Sequence, residues 1–268
     1  MSGPNRHRIV ILCGPLLTHK NTCATLIRSG LNVVGICEAD QRTAGLPLSY
    51  VFRSIRRKGL GVTLSRVVAR LLYRSLNSRK DQEIFTRLFD DRAINETILK
   101  WEGKIHRTNN YSAPRTINWL REMDADILVA HTPYWIGKKV RGLPKTGMVL
   151  GGHPGITPFY RGSHSAFWAV YNGNPEDLGC TVFLLDDGVD TGDIVAQDRI
   201  PFERADSFFT LCWKGMIRLA EMQAGILQDF DRGIGIPRQR VSPPENTEFD
   251  NPRLSEYLRY CYRQRWIR

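Results

Sequence analysis

Two short apolar runs with one helix-length segment between them open the chain, and they narrow its architecture more than any other feature. Arg8–Cys13 (RIVILC) reads as a buried strand, and Gly14-Pro15 ends it. Asn21–Ser29 reads as a helix and Leu31–Cys37 (LNVVGIC) as a second strand. A strand, a helix and a strand packed so closely in sequence point to a parallel βαβ unit.

The rest of the chain extends this pattern. Residues 47–101 interrupt it with mostly helical signals. At Ser112-Ala-Pro114 a cap residue with proline just inside marks a helix running to about Met123. Asp126–His131 and Gly147–Gly151 read as strands and Ser165–Tyr171 as a helix. Cys180–Asp186 and Ile194–Ile200 flank a turn and pair as a hairpin-like unit. Asp206–Asp231 reads as a long amphipathic helix capped by Asp206, and the tail from Pro237 has no clear period. The expected fold class is α/β, a Rossmann-like open, mostly parallel sheet with helices on both faces. Ligands of such sheets bind beyond the carboxyl ends of the strands. The expected organisation is a catalytic domain over 1–232 with a basic helical insertion at 47–101, followed by a short extension over 233–268.

Composition excludes several classes. The 268 residues are 42% hydrophobic, too apolar for wholesale disorder. The longest apolar runs, such as Ile9–Cys13 and Val182–Leu185, are far below a membrane span. The N-terminal apolar run is too short for a secretory signal. Six scattered cysteines form no C-x-x-C pair, which argues against a zinc ribbon or dithiol motif and for a cytoplasmic protein with reduced thiols. No G-x-G-x-x-G or P-loop signature is present.

The net charge of +11 is local. Residues 51–80 hold nine basic side chains and no acidic one, and residues 253–268 add five arginines against Glu256, which leaves the remainder slightly negative. Arg66, Arg70 and Arg74 recur at a four-residue spacing. This segment is either a solvated helix face packed on the body or a surface for an anionic partner, such as an acidic membrane or a phosphorylated substrate. Aromatic interleaving is sparse, which weakens a single-strand nucleic-acid reading; DNA is not an expected partner.

Two loops carry the chemistry. One is HPGITPFYRG at His153–Gly162, directly after a strand. The other is DDGVDTGD at Asp186–Asp193, between two strands. HPGITPFYRG resembles the H-x-S-L-L-P-x-x-R-G segment of the 10-formyltetrahydrofolate-dependent formyltransferases. The stretch Gly179–Asp193 is similar to their second signature, G-x-T-V followed by D-x-G-x-D-T-G-D. The 37-residue spacing from His153 to Asp190 fits.

The resemblance implies 10-formyltetrahydrofolate as formyl donor, no metal, and a triad of Asn, His and Asp. His153 matches the histidine and Asp190 the aspartate. The asparagine position, two residues before the histidine, is Gly151 here. Its family role is to donate to the formyl oxygen, and His131, Asn109, Asn110 and His164 are polar candidates to replace it. An imidazole gives and takes protons near neutral pH, so the implied role of His153 is proton transfer, with Asp190 orienting it. Asp193 is as well suited to capping the following turn. The resemblance also implies a pterin held through backbone groups near Tyr134, Trp135, Ile136, Asp186 and Val189. The alternative for Tyr134-Trp135 is a core aromatic pair. Arg161 either binds an acceptor phosphate or braces its loop by an ion pair.

The expected function is N-formyl transfer to the amine of a small acceptor. The 37 residues after Asp231 are too few for the OB-like domain of methionyl-tRNA enzymes. SHSAFWAV at 163–170 looks more like the sugar N-formyltransferases, which favours a nucleotide-linked amino sugar. Alternatives are a folate-binding protein without turnover, or a related enzyme with altered acyl chemistry or donor hydrolysis. A homodimer is a further option left open.

Overall fold

The computed structural model describes residues 6–40 and 48–264. The N-terminal five residues, the start of the expected insertion at 47, and Arg265 and Arg268 of the basic C-terminal segment lie outside the described residues.

The first strand, β1 (Ile9–Cys13), is buried along its whole length, as its uninterrupted apolar sequence requires of a strand covered on both faces. It is the third strand of a seven-stranded sheet. On one side it pairs in parallel with β2 (Val33–Ala39), which pairs in parallel with β3 (Lys104–Thr108). On the other it pairs in parallel with β4 (Ile127–His131), which is parallel to β5 (Met148–His153). Two antiparallel strands, β7 (Gly179–Leu184) and β8 (Ile194–Arg199), complete that edge. A two-residue strand β6 (Arg161–Gly162) stands apart from this sheet. The mostly parallel sheet and the β7–β8 hairpin are as expected; β3 had no clear sequence signal, because three of its five residues are exposed or half-exposed polar ones.

Helices cover both faces. One is covered by α1 (Leu17–Arg28), α7 (Ser165–Asn172) and α8 (Phe208–Asp231), which bury Ile11, Val129, Leu150 and Val182. The other is covered by α5 (Pro114–Glu122) and the short α6 (Lys138–Arg141), over Leu12, Leu128 and Val149. Each fully buried Ile or Leu contributes roughly 1.5–3 kcal/mol before conformational entropy is counted.

The segment expected as an insertion is the crossover from β2 to β3. It consists of α2 (Leu48–Lys58), α3 (Leu60–Leu88) and α4 (Asp91–Lys100). α3 lies on the body through Tyr73, whose ring meets Phe208 at 4.6 Å and Phe209 at 5.2 Å. One side of α3 thus packs on the body, and the other carries exposed residues such as Leu64 and Leu71.

Several boundaries differ from the expectations. α1 starts at Leu17, four residues early, with no side-chain cap to signal it. Ala113, not Ser112, is the N-cap of α5, and Pro114 provides the start. The cap of α8 is Ser207, which forms a reciprocal capping box with Thr210. Asp206 is engaged instead by Glu203 N at 2.8 Å and Lys214 Nζ at 2.9 Å. The tail is ordered into a two-residue strand, β9 (Glu248–Phe249), and a helix, α9 (Leu254–Gln264). Tyr257 and Tyr260 of α9 enter the main core. The six cysteines are free thiols. No helix among the described residues is long and apolar enough to cross a membrane.

Candidate active site

The carboxyl ends of β1, β4 and β5 open onto one edge of the sheet, where a doubly wound fold presents its ligand crevice. Tyr111 ties two of these ends together: its hydroxyl donates to the Cys13 carbonyl at 2.8 Å and reaches Thr132 Oγ1 at 3.2 Å.

His153 is the last residue of β5 and is buried. Its Nε2 stands 2.8 Å from the Tyr160 carbonyl oxygen, which can only accept, so Nε2 carries a proton. Its Nδ1 faces Asp190 Oδ2 at 3.3 Å. Asp190 has a left-handed backbone, φ 51°, unusual for a residue with a side chain. The Gly162 amide donates to the same Oδ2 at 3.0 Å. The two loops singled out in the sequence thus converge on one imidazole–carboxylate contact.

Arg161 is buried, and its bonds are those of a brace. Its guanidinium donates to the Val189 carbonyl at 3.1 Å and to Thr247 Oγ1 at 3.2 Å, with no ion pair among the described residues. The tail completes this clamp, because β9 pairs with β6 in parallel and Ser163 N donates to the Phe249 carbonyl at 2.9 Å.

Around the mouth, Tyr134, Trp135 and Val189 are exposed, while Ile136 is buried in the second core. Tyr134 and Trp135 are therefore not a core pair. Asp186 organises its own loop: its carboxylate accepts from Gly188 N at 3.0 Å and Thr191 Oγ1 at 2.7 Å. Asp193 lies 3.1 Å from Arg240 of the tail.

Gly151 is buried within β5, where it pairs with Ala130 of β4 and Phe183 of β7. A Cβ built there would collide with Leu185 Cδ1 and lie 3.2 Å from Phe183 Cζ. The volume next to the Gly151 Cα is filled by apolar side chains.

No group of three or more His, Cys, Asp or Glu among the described residues is arranged to hold a metal ion. Comparison with known proteins fits this geometry. The family model described as formyl transferase matches residues 55–216, more than half of the chain. The chain belongs to the formyl transferase family. It is 31% identical over 140 residues to a methionyl-tRNA formyltransferase of Halothermothrix orenii, across 52% of this chain and 43% of that protein. It is 32% identical over 111 residues to a GDP-perosamine N-formyltransferase of Brucella melitensis, across 41% of this chain and 42% of that one. The matches thus span about two-fifths of the length of these relatives. The glycinamide ribonucleotide transformylase 1 of Symbiobacterium toebii shares the fold with a TM-score of 0.55 at 16% identity, covering 90% of this chain and all of that one.

In this formyl transferase chain, none of the four polar residues named as replacements for the asparagine is among the atoms nearest a Cβ at Gly151. Paired residues on neighbouring strands point to the same face, and Gly151 pairs with Ala130, so the next residue, His131, points to the opposite one. His131 Nδ1 contacts Thr22 Oγ1 at 2.5 Å, and burial pushes its pKa down to about 3. Asn110 accepts from Ser112 N at 2.9 Å, Asn109 is exposed, and His164 pairs with Asn251 at 2.9 Å.

Arg141, which had no sequence signal, links the two mouth loops. Its half-buried side chain donates to the Ile136 carbonyl at 2.9 Å and pairs with Asp187. Its guanidinium also lies 5.9 Å from the centroid of the Trp135 ring.

Proposed function

We propose that this chain transfers a formyl group from 10-formyltetrahydrofolate to the amine of a small acceptor, with an amino sugar carried on a nucleotide as the preferred class. The observation that carries the reading is the buried His153–Asp190 contact, held by the Gly162 amide at the ligand-binding edge of the sheet.

The reaction needs one proton moved. As the amine nitrogen bonds to the formyl carbon, a proton leaves that nitrogen. The bond from the formyl carbon to the donor nitrogen breaks, and the proton ends there. Nε2 is held by the Tyr160 carbonyl, so Nδ1, on the Asp190 side, is the nitrogen that takes and returns it, and Asp190 stabilises the ring while it is charged. The Nδ1 contact at 3.3 Å is long for a charge-assisted bond and shortens as the ring gains a proton. Tyr160 and Gly162 fix the two partners, and Arg161 positions the Asp190 loop through the Val189 carbonyl. The folate would be held at the mouth through backbone groups near Tyr134, Trp135, Ile136, Asp186 and Val189.

The test supplies the purified protein with 10-formyltetrahydrofolate and three acceptors in turn: a nucleotide-linked amino sugar, glycinamide ribonucleotide and methionyl-tRNA. The expected result is tetrahydrofolate release that depends on the amino sugar. Gly151 supports a second reading, since an apolar filling stands where the family donates to the formyl oxygen. Folate binding without release would favour that reading, a binding protein. Release without any amine would make the reaction donor hydrolysis.

The outer face of α3 supports a further partner. Leu60, Leu64, Val68 and Leu71 are between 39% and 65% exposed and form one helical stripe. Arg57 and Arg74 are exposed as well. An apolar stripe with a basic border suits an anionic lipid surface. A second copy would instead bring like charges together. The protein is expected to sediment with phosphatidylglycerol vesicles and not with phosphatidylcholine vesicles. Binding should fade over tens to hundreds of millimolar salt, and Leu64→Glu with Leu71→Glu should weaken it about ten-fold. Equal sedimentation with both lipids, or none with either, would remove the membrane from the proposal.

A further inference from the structure

A cavity of about 360 Å³ lies under the inner face of α3, within the size range of small-molecule sites. Tyr73, Phe208, Phe209 and Tyr257 line it with aromatic surface, and Val67 and Ala69 add aliphatic surface. Its polar edge is formed mainly by Arg66, Arg70 and His164. This cavity belongs to the crossover helices and the tail, and no residue of the His153–Asp190 contact lines it.

Its electrostatics are one-sided. Arg66 is 3.3 Å from Asp250, and the same carboxylate also pairs with Lys58. Among the described residues, Arg70 has no carboxylate partner. Arg66 Nε is buried with no hydrogen-bond partner. A buried unpaired donor is costly, and more so on a charged group. Burial, and then the neighbouring Arg66, Arg253 and Arg57, push the Lys58 pKa down. Cations thus outnumber carboxylates at this edge. His164, which also lines the cavity, has its pKa lowered by burial, which disfavours a further positive charge there.

From this arrangement we infer that the cavity binds a small amphipathic anion, with an apolar body against the aromatic walls and a carboxylate or phosphate accepting from Arg66 Nε and facing Arg70. The apolar walls exclude a bare inorganic anion, which would leave them dry and unfilled. The guanidinium edge selects against a neutral apolar molecule of the same size, since Arg66 Nε would stay unpaired. The inference is independent of formyl transfer, because it needs no residue of the His153 site.

The test is calorimetric titration of the full chain with decanoate, decyl phosphate, decanol and inorganic phosphate. Decanoate and decyl phosphate are expected to bind at least ten-fold more tightly than decanol, and inorganic phosphate to give no heat of binding. A preference between the first two identifies the head group. Arg70→Gln, which breaks no ion pair, should weaken the anions at least three-fold and leave decanol unchanged. Val67→Trp should fill the cavity and abolish binding of all of them while every charge remains. Arg66→Gln should act more strongly than Arg70→Gln, with its melting temperature measured in parallel because the Asp250 pair is lost. Decanol binding as tightly as decanoate, or decanoate binding unaffected by Val67→Trp, would overturn the inference.

Discussion

His153→Ala is expected to lower formyl-transfer turnover by roughly a hundred- to ten-thousand-fold, the range for a lost general acid–base group. Folate affinity should change little, because the imidazole is buried between the Tyr160 carbonyl and Asp190 and is not one of the residues proposed to hold the folate. The partner variant must be chosen with the backbone in mind. Asp190 has φ 51°, a conformation that asparagine tolerates and alanine does not. Asp190→Asn therefore keeps the loop and the bond from the Gly162 amide but removes the charge that stabilises the imidazolium. It should lose turnover on a similar scale. The double variant should be little worse than either single one, because the two groups act as a unit. The measurement is turnover, folate affinity and melting temperature for all three variants. Wild-type turnover in either single variant would end the proton-transfer assignment, and losses that simply multiply would show two independent roles.

What the sequence made legible follows from how local each signal is. IVILC is buried on both faces, so its apolar run alone identifies an interior strand. The His153 and Asp190 loops were legible because glycine, proline and ionisable residues sit together in short stretches. Their convergence depends on β5 and β7 pairing across the sheet, which no local pattern reports. The tail illustrates the opposite case. β9 has two residues and gains its meaning from pairing with Arg161 and Gly162 more than eighty positions away. Arg141 reads as one more surface cation beside Lys138 and Lys139, yet its contacts with the Ile136 carbonyl and Asp187 join both mouth loops. Asp206 was a reasonable cap by residue type, but Lys214 and the Glu203 amide hold its carboxylate, and Ser207 takes the role. Burial and partner choice are properties of the folded whole, and they decided each of these positions.

Gly151→Asn tests whether this site lacks its oxyanion donor or has been rebuilt around a small residue. A donor aimed at a developing oxyanion is worth roughly a hundred- to a thousand-fold in rate. If that donor alone were missing, restoring asparagine would raise turnover at least ten-fold. The packing argues for the other outcome. The first side-chain carbon at this position collides with Leu185 Cδ1 and meets the Phe183 ring, and Gly151 is hemmed in by β4 and β7 on its two sides. Forcing a larger side chain into such a place costs about 1–3 kcal/mol. We therefore expect Gly151→Asn to lower the melting temperature and to leave turnover unchanged or reduced. The double variant Gly151→Asn with Leu185→Ala separates space from chemistry. Leu185 meets this position through the far end of its side chain, so truncation makes room without touching the strand. If the double variant regains stability and still shows no gain in turnover, another group in the native site already serves the oxyanion. If it gains ten-fold or more, the native chain is a slow transferase limited by that one missing donor. A large gain in the single variant would show that Leu185 yields easily and that the packing argument fails.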